Sequence, residues 1–575
     1  MKKWFLITVL LLLFCANGET QQTTYYVSPT GSGSDCTIGD PCSLNYGLSQ
    51  LSAGKTLYLR GGTYTQIVSF STNGAEGNEI RIQGYTGETA IIDGSPTIPS
   101  SDWGVLFDLN GDYVILEDLT VRESNGMGLV VDGDHNQIID VYSHSHDENG
   151  ILVRGSYNIV DDCDVYNNSL SEEAGWSGGL NVGSNGTATG NLIKNCKVWY
   201  NFGEGLSCYE GMNTTIQDCE VYDNYSVNIY ISDATGCMVQ RNLVYNTGAM
   251  TSGSRTGIAV SSEGHSPTPD NNRIINNIVY GTRRCFHFYN TAALEGFTNS
   301  EVCNNVFMNT IYDNTIQINN SSLHSNTIIK NNIIRQDDTL APIEVGNYAG
   351  LDFGYNCWSD TQANVDDDAK GPGDIYQCGG SPSYDCDLVG SDWAVATSYK
   401  INGNIGSIYP RDKGYTSASV TEDYWETERP QGDYYDMGAH EFESEVPPPT
   451  VTIEATDPNG HERNTDTATI RFTRTTSSGN LTVNFTINPA STASSNDYDE
   501  DLSGGFVTIL DGNTYVDQTI TPTADVDRLE GRETLILNLA ADSYTIGSPS
   551  QATIYIEDDA GTMTGVPAGG GFSLN

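Results

Sequence analysis

Glu204, Glu210, Asp233 and Glu263 offer carboxyl groups at positions that stacked strands could bring side by side. Hydrolysis of a glycosidic bond needs two such groups about 5 to 9.5 Å apart, one to protonate the leaving oxygen and one to act as base or nucleophile. Eliminative cleavage of a uronan needs a base for the proton α to the uronate carboxyl, and a cation or amide for the developing enolate. Arg154 is a candidate cation for such a site, and Tyr230, Tyr289 or His287 could serve as base or acid. Trp176, Asn181, Tyr209, Tyr289, Arg255, Arg283 and Gln317 add the rings, amides and cations that grip a sugar by its apolar face and its hydroxyls. The same set would also suit a surface that binds glycans without cutting them. Each residue alone is more often a solvated loop residue.

These side chains can meet only if the chain between them stacks. From about residue 111 to 350 one unit recurs: an apolar strand, a polar or Cys/Asn residue, a second short strand, a variable loop and a third strand. The anchor column reads Asp118, Cys163, Cys196, Cys219, Asn242, Asn277, Asn305 and Asn332, with a base period near 23 residues that loops lengthen. Such a period predicts an all-β solenoid, a right-handed parallel β-helix in which each coil buries its neighbour's apolar side chains. The asparagines are expected to hydrogen-bond from coil to coil, and the cysteines to be small buried fillers. A disulfide between neighbouring coils stays open.

The third strand of each coil alternates inward apolar pairs, from Leu129/Val131 to Ile316/Ile318, with outward residues. The outward set is Leu152, Arg154, Asn181, Ser207, Tyr209, Tyr230, Ser232, Ala259, Ser261, His287, Tyr289, Gln317 and Asn319. Loops beside it carry Asp147, Glu148, Glu172, Glu173, Trp176, Glu204, Glu210, Asp233, Arg255, Glu263, His265, Arg283 and Arg284. No lysine falls on this face, because Lys194, Lys197 and Lys330 flank the anchor column. His144 and His146 alternate on one segment, which fits either a metal pair or a polar turn entering a coil.

The formal charge of −48 makes nucleic acid and anionic membrane improbable partners. Lys2 and Lys3, the apolar run from Trp4 to Phe14 and Ala16-Asn17-Gly18 read as a signal peptide over residues 1–18. A secreted, extracellular or cell-surface monomer with no membrane span is expected. An oxidising compartment suits disulfides, with Cys36–Cys42 expected first and Cys378–Cys386 second. Domains are expected at 19–110 (cap and first coils), 111–443 (coils and closing segment), 444–450 (Pro-rich linker), 451–560 (β-sandwich) and 561–575 (flexible tail).

YYVSPTGSGSD, LSAGKTLYLRGGTYT, GNEIRIQGYTGETAIIDG and the closing DYYDMGAHEFE resemble secreted members of the pectate-lyase-like β-helix superfamily. That resemblance implies an extracellular polysaccharide as partner, and a polysaccharide lyase with acidic calcium ligands and a Lys or Arg base on the exposed sheet. The missing groove lysine departs from the pattern. A glycoside hydrolase in the same groove, or a glycan-binding adhesion protein, are the alternatives. The Asp-Pro-His motif of alginate epimerases is absent, Ser145-His146-Asp147 being only superficially similar. SSNDYDED, ITPTADVDRLEGRETLILNL and ATIYIEDD resemble a Calx-beta domain. Its implied Ca2+ ligands are Glu454, Asp497, Asp499, Asp525, Asp527, Glu530, Asp558 and Asp559, although such domains also serve as spacers.

Overall fold

The computed structural model describes residues 23–95, 97–101, 103–171, 177–183, 187–291, 295–308, 313–336, 340–378, 386, 388, 400–402, 409–416, 419–432, 434–442, 448–463, 466–524 and 531–557. The chain falls into two compact units, Met1–Glu443 and Ser444–Asn575. The first is a parallel β-helix. One of its sheets has eleven strands: β1 (Val68–Phe70), β2 (Val105–Leu109), β3 (Met127–Val131), β4 (Ile151–Val153), β5 (Gly178–Val182), β6 (Glu204–Tyr209), β7 (Val227–Ser232), β8 (Thr256–Ser262), β9 (Phe286–Asn290), β10 (Ile316–Ile318) and β11 (Ile343–Val345). Each pairs in parallel with the strand one coil away.

The other strands form two more stacks, which merge into one sheet of twenty-four. Val114–Arg122 and Gln137–His144 run unbroken through both. Between those stacks the chain bends at a residue with positive φ: Asp118 (54°), Asp140 (50°), Asp162 (55°), Asn195 (55°), Asp218 (57°), Arg241 (55°), Asn276 (56°), Asn304 (58°) and Asn331 (60°). Asp and Asn recur there because their short polar side chains tolerate the left-handed region.

The residue after the bend turns into the core, and this corrects the anchor column at its start. Leu119 pairs with Val141, and Tyr142 pairs with Asp164, so Leu119 and Val141 precede Cys163, and Asp118 is the bend itself. Along the solenoid the position changes from aliphatic to Cys163, Cys196 and Cys219, all buried and without disulfides. It then becomes asparagine. Asn242, Asn277, Asn305 and Asn332 each donate from Nδ2 to Oδ1 of the next, at 3.0, 3.0, 3.0 and 3.1 Å, ending on Asn356. A second buried ladder, Asn168, Asn201, Asn224 and Asn228, runs at 3.0, 2.9 and 2.9 Å. The outer surface of the twenty-four-stranded sheet carries a ring stack, His144, Tyr166, Trp199, Tyr222, Tyr245 and Tyr280, with centroids 4.4 to 5.9 Å apart.

Cys36 and Cys42 form the expected disulfide. Cys378 bonds to Cys357 rather than to Cys386, because strand pairing at Cys357–Trp358 and Ile375–Tyr376 brings Cys357 and Cys378 to adjacent coils. Cys386 is a buried free cysteine. His144 and His146 do not converge. The buried His146 ring accepts the Ser124 N–H at Nδ1 (3.1 Å), while His144 stacks on Tyr166. A segment near the end of this unit packs back on the solenoid, with Asn331 Nδ2 donating to the Tyr415 carbonyl (2.7 Å) and a buried Arg429–Glu441 pair at 2.9 Å.

The second unit is a sandwich of a four-stranded and a five-stranded sheet around Val451, Ile453, Phe472, Val483, Leu535 and Ile554. Among the described residues no helix is long and apolar enough to cross a membrane. Residues 1–18, expected as a signal peptide, and 561–575, expected as a tail, lie outside them.

Candidate functional site

A groove of about 890 Å³ crosses the outer face of the eleven-stranded sheet. Its central column is set by strand register: Leu152, Asn181, Ser207, Tyr230, Ala259 and His287 stand side by side on successive coils. A second column runs through Tyr209, Ser232, Ser261 and Tyr289. Period-2 alternation is enough to place both, because the inward partners are apolar and fully buried.

Glu204 reaches the groove for a different reason. A Cβ at the adjacent Gly205 would lie 2.5 Å from Asn224 Nδ2, and Gly150 and Gly179 face Asn168 and Asn201 at the same 2.5 Å. The backbone at this corner lies directly on the second asparagine ladder, where only glycine fits. Gly205 and Leu206 both face inward, and the carboxylate before them faces out.

Burial pushes the Glu204 carboxyl up to about 8, and the charge of Glu263 adds to the push. Glu263 accepts a hydrogen bond from the Tyr230 hydroxyl. Burial first, then the Glu263 carboxylate, push the Tyr230 phenol up as well. The pair therefore consists of one carboxyl that stays protonated at neutral pH and one carboxylate steadied by a phenol. Tyr209 is pushed up to about 12, chiefly by burial and then by its hydrogen bond with Glu210. His287 is brought down to about 4 by burial and by Arg284, and its Nε2 lies 3.3 Å from Asn319 Oδ1.

Asp233 does not line the groove. Its side chain is 0% exposed, accepts the Glu263 backbone N–H at 3.0 and 3.1 Å, and lies 3.1 Å from His265 Nδ1. Asp233 thus anchors the loop that carries Glu263 and His265, and His265 Nδ1 is 3.4 Å from the Tyr209 hydroxyl. Arg154 lines the groove but is held by Asp132, Nη2 to Oδ2 at 2.6 Å. Arg283 and Arg284 share Asp313 at 2.7 and 2.8 Å, and only Arg284 lines the groove. Glu210 is buried at the end of β6, Arg255 precedes β8 in the left-handed region (φ 48°), and Gln317 donates to Glu344 at 3.0 Å. Those three stand outside the groove lining. Trp176, with Glu172 and Glu173, lies outside the described residues.

The lysines remain off this face, Lys194 bonded to Asp161 (2.9 Å), Lys197 to Glu220 (3.0 Å) and Lys330 to Asp352 (2.6 Å). The sequence reading missed Trp103, Met127 and Asn149, which line one end of the groove. Coil stacking begins well before residue 111, with Thr24–Val27 paired to Thr56–Leu59 and β1 paired to β2, inside the stretch expected to hold the cap and first coils.

Calcium takes six to eight oxygen ligands. Among the described groove-lining residues the carboxylates are Glu204 and Glu263, and Glu204 is the one pushed up to about 8, so this donor set does not fit a resident calcium. In the sandwich, Asp499 Oδ1 accepts from the Thr523 hydroxyl (2.8 Å), and the Asp497 carbonyl accepts the Thr523 N–H (3.0 Å). Glu454 stands mid-strand, opposite Arg471. Asp525, Asp527, Glu530, Asp558 and Asp559 lie outside the described residues. Among the described residues, three metal-capable side chains converge only at Cys357, Cys378 and Cys386.

A family model described as "Pel9A-like, right handed beta helix region" matches residues 25–332, more than half of the chain. The chain belongs to the Pel9A-like family. This Pel9A-like chain is 28% identical over 204 residues to pectate lyase PEL9 of Emericella nidulans, covering 33% of this chain and 50% of that protein. It is 28% identical over 213 residues to pectate lyase L of Paenibacillus polymyxa, covering 33% of this chain and 45% of that protein. The Pel9A-like chain thus spans about half the length of the curated relatives it matches. The crystal structure of pectate lyase Pel9A superposes with a TM-score of 0.47 at 18% identity, covering 73% of this chain and 96% of that one.

Proposed function

We propose that this chain is a secreted enzyme that cleaves an extracellular polysaccharide in the groove, by acid-assisted hydrolysis. The observation that carries the reading is the carboxyl pair, Glu204 held protonated up to about pH 8 beside the Glu263 charge. A protonated carboxyl at neutral pH can give its proton to a leaving glycosidic oxygen, and a nearby carboxylate can act as base or nucleophile at the sugar carbon. The Tyr230 hydroxyl orients that carboxylate, and Asp233 fixes the backbone of the loop that bears it. Tyr209 and Tyr289 offer ring faces to the sugar along the same face.

Calcium-assisted elimination is the second reading, favoured by the two relatives named pectate lyases. It would need a base, and the groove offers the His287 ring, which burial keeps neutral, and the Tyr230 and Tyr289 hydroxyls, while Arg154 and Arg284 are both ion-paired. The C-terminal sandwich is proposed as a Calx-beta-like module, with Asp497 and Asp499 the described candidates for calcium.

The test is incubation with polygalacturonate, alginate and xylan, with calcium and with chelator, following reducing ends and unsaturated-uronate absorbance together. Reducing ends without absorbance, insensitive to chelator and lost in Glu204→Gln, are expected. Absorbance that rises only with calcium would replace hydrolysis by elimination.

A further inference from the structure

At the turn that leads out of the eleven-stranded sheet, a further buried column repeats from coil to coil. It stands one residue before the strand that follows the turn: Asn158 before Ile159, Asn191 before Leu192, Thr214 before Thr215, Cys237 before Met238 and Asn272 before Arg273. Where the column holds asparagine, the side-chain amide ties its turn to the coil before. Asn158 Nδ2 donates to the Gly133 carbonyl at 3.0 Å, Asn191 Nδ2 to the Gly155 carbonyl at 3.0 Å and Asn272 Nδ2 to the Ala234 carbonyl at 2.8 Å. Each tie satisfies a buried amide and joins two coils.

Cys237 has no amide with which to make that tie. It keeps the backbone half of the pattern, donating its N–H to Asn272 Oδ1 at 2.9 Å as Asn158 donates to Asn191 Oδ1 at 2.8 Å. Its side chain meets sulfur. Cys237 Sγ lies 3.5 Å from Sγ of Cys208, the inward-facing residue of β6 one coil earlier, and both residues are buried. Room for the Cys208 sulfur comes from Gly211, where a Cβ would lie 2.6 Å from it. The cysteines of the anchor column are engaged differently. Cys163, Cys196 and Cys219 direct their thiols to carbonyls two residues back, at 3.2 to 3.3 Å, against 3.8 Å for Cys237.

We propose that Cys208 and Cys237 are a cross-linking site, closed as a disulfide in addition to Cys36–Cys42 and Cys357–Cys378. Closure asks the two sulfurs to approach by about 1.5 Å, within reach of side-chain rotation. A thiolate of the pair attacks a small-molecule disulfide such as oxidised glutathione, and the other sulfur then displaces glutathione from the mixed disulfide. Two thiol protons leave, the pair gives up two electrons, and the glutathione disulfide is reduced to two thiols. Because both sulfurs are buried in the finished solenoid, this exchange belongs to the stage at which the coils close. The bond is a covalent form of the asparagine tie at a coil that lacks one. It joins β6, which presents Glu204, to the turn that begins at Asp233, the residue that holds the Glu263 loop.

The test is peptide mapping of the full chain folded in a glutathione redox buffer, in a preparation whose Cys36–Cys42 bond is intact. The protein is alkylated with iodoacetamide in guanidinium chloride without reductant, digested and read by mass spectrometry. A linked pair of peptides holding Cys208 and Cys237, separated by reduction, is expected as the main form of both cysteines. Alkylation of both as the main form, or either one bonded to a different cysteine, would overturn the proposal. Thermal unfolding gives a second reading. Dithiothreitol should lower the melting temperature of wild type by more than that of Cys208→Ala, which has one bond fewer to lose. Equal losses in the two proteins would count against the bond.

Discussion

Two polar regions of the solenoid are built from the same residue types and behave in opposite ways. Along the interior corners, asparagine Nδ2 and Oδ1 atoms close on one another from coil to coil, and backbone N–H groups fill the remaining acceptors. On the groove face, Asn181 and Ser207 keep unpartnered atoms, Glu204 is held away from its ordinary ionisation, and the arginines are tied to aspartates outside the lining. A saturated ladder is a structural device, because every removed partner leaves a buried group unmet. On the groove face the unpartnered Asn181 Oδ1 and Ser207 Oγ are shielded from solvent, so what that face offers a ligand is the Glu204 carboxyl and the exposed rings of Tyr209 and Tyr289. Polar content alone does not separate structure from function in this fold.

Substitutions can break this contrast in order of effect. Glu204→Gln removes the proton donor and should lower cleavage by about 10² to 10⁴-fold. The same change should stabilise the fold at alkaline pH. A carboxyl whose folded pKa is raised favours folding below its unfolded pKa, and that contribution is lost as pH rises through about 8. The melting temperature of Glu204→Gln should therefore exceed that of wild type near pH 8, and the two should converge near the ordinary glutamate value of about 4.3. A calorimetric pH series that shows no such divergence would place Glu204 in water.

In the interior ladder, Asn305→Ala strips the acceptor from the Asn277 amide and backbone N–H, at 3.0 and 2.9 Å. A loss of roughly 2–4 kcal/mol in denaturant unfolding is expected. A cost below about 0.5 kcal/mol would show that the ladder is dispensable. Asp233→Asn keeps an acceptor for the Glu263 N–H but withdraws the charge beside His265. It should slow cleavage less than Glu204→Gln does, and a variant as slow as Glu204→Gln would contradict that positioning role. The smallest effect is expected at Ser207→Ala, which deletes an unpartnered hydroxyl and should leave stability within about 0.5 kcal/mol.

Much of this architecture was legible in the sequence, because the solenoid writes its geometry as periodicity. The alternation around Ile229/Ile231 and Phe286/Phe288 places Tyr230 and His287 on one face, and the asparagine column announces its own ladder. What was not legible depends on contacts that no period encodes. Asp233 reads as a groove carboxylate by its place at a strand end, yet a left-handed backbone (φ 44°) turns it under the loop it holds. The bend at Asp118 was mistaken for the column because Asp resembles Asn in type, although the residue after the bend is the one that turns inward. Nearness in sequence suggests Cys386 as the partner of Cys378, whereas strand pairing brings Cys357 to the neighbouring coil. Trp103 escaped because the first coils carry no Cys or Asn at the anchor position.

The central claim is that Glu204 is a protonated acid in the groove at neutral pH. Infrared difference spectroscopy of wild type against Glu204→Gln, titrated from acid to alkaline pH, tests it without any substrate. A protonated-carboxyl band that persists through neutrality, disappears near pH 8 and is absent from the variant is the predicted result. A wild-type spectrum that differs from the variant by no such band above about pH 6 would contradict the account.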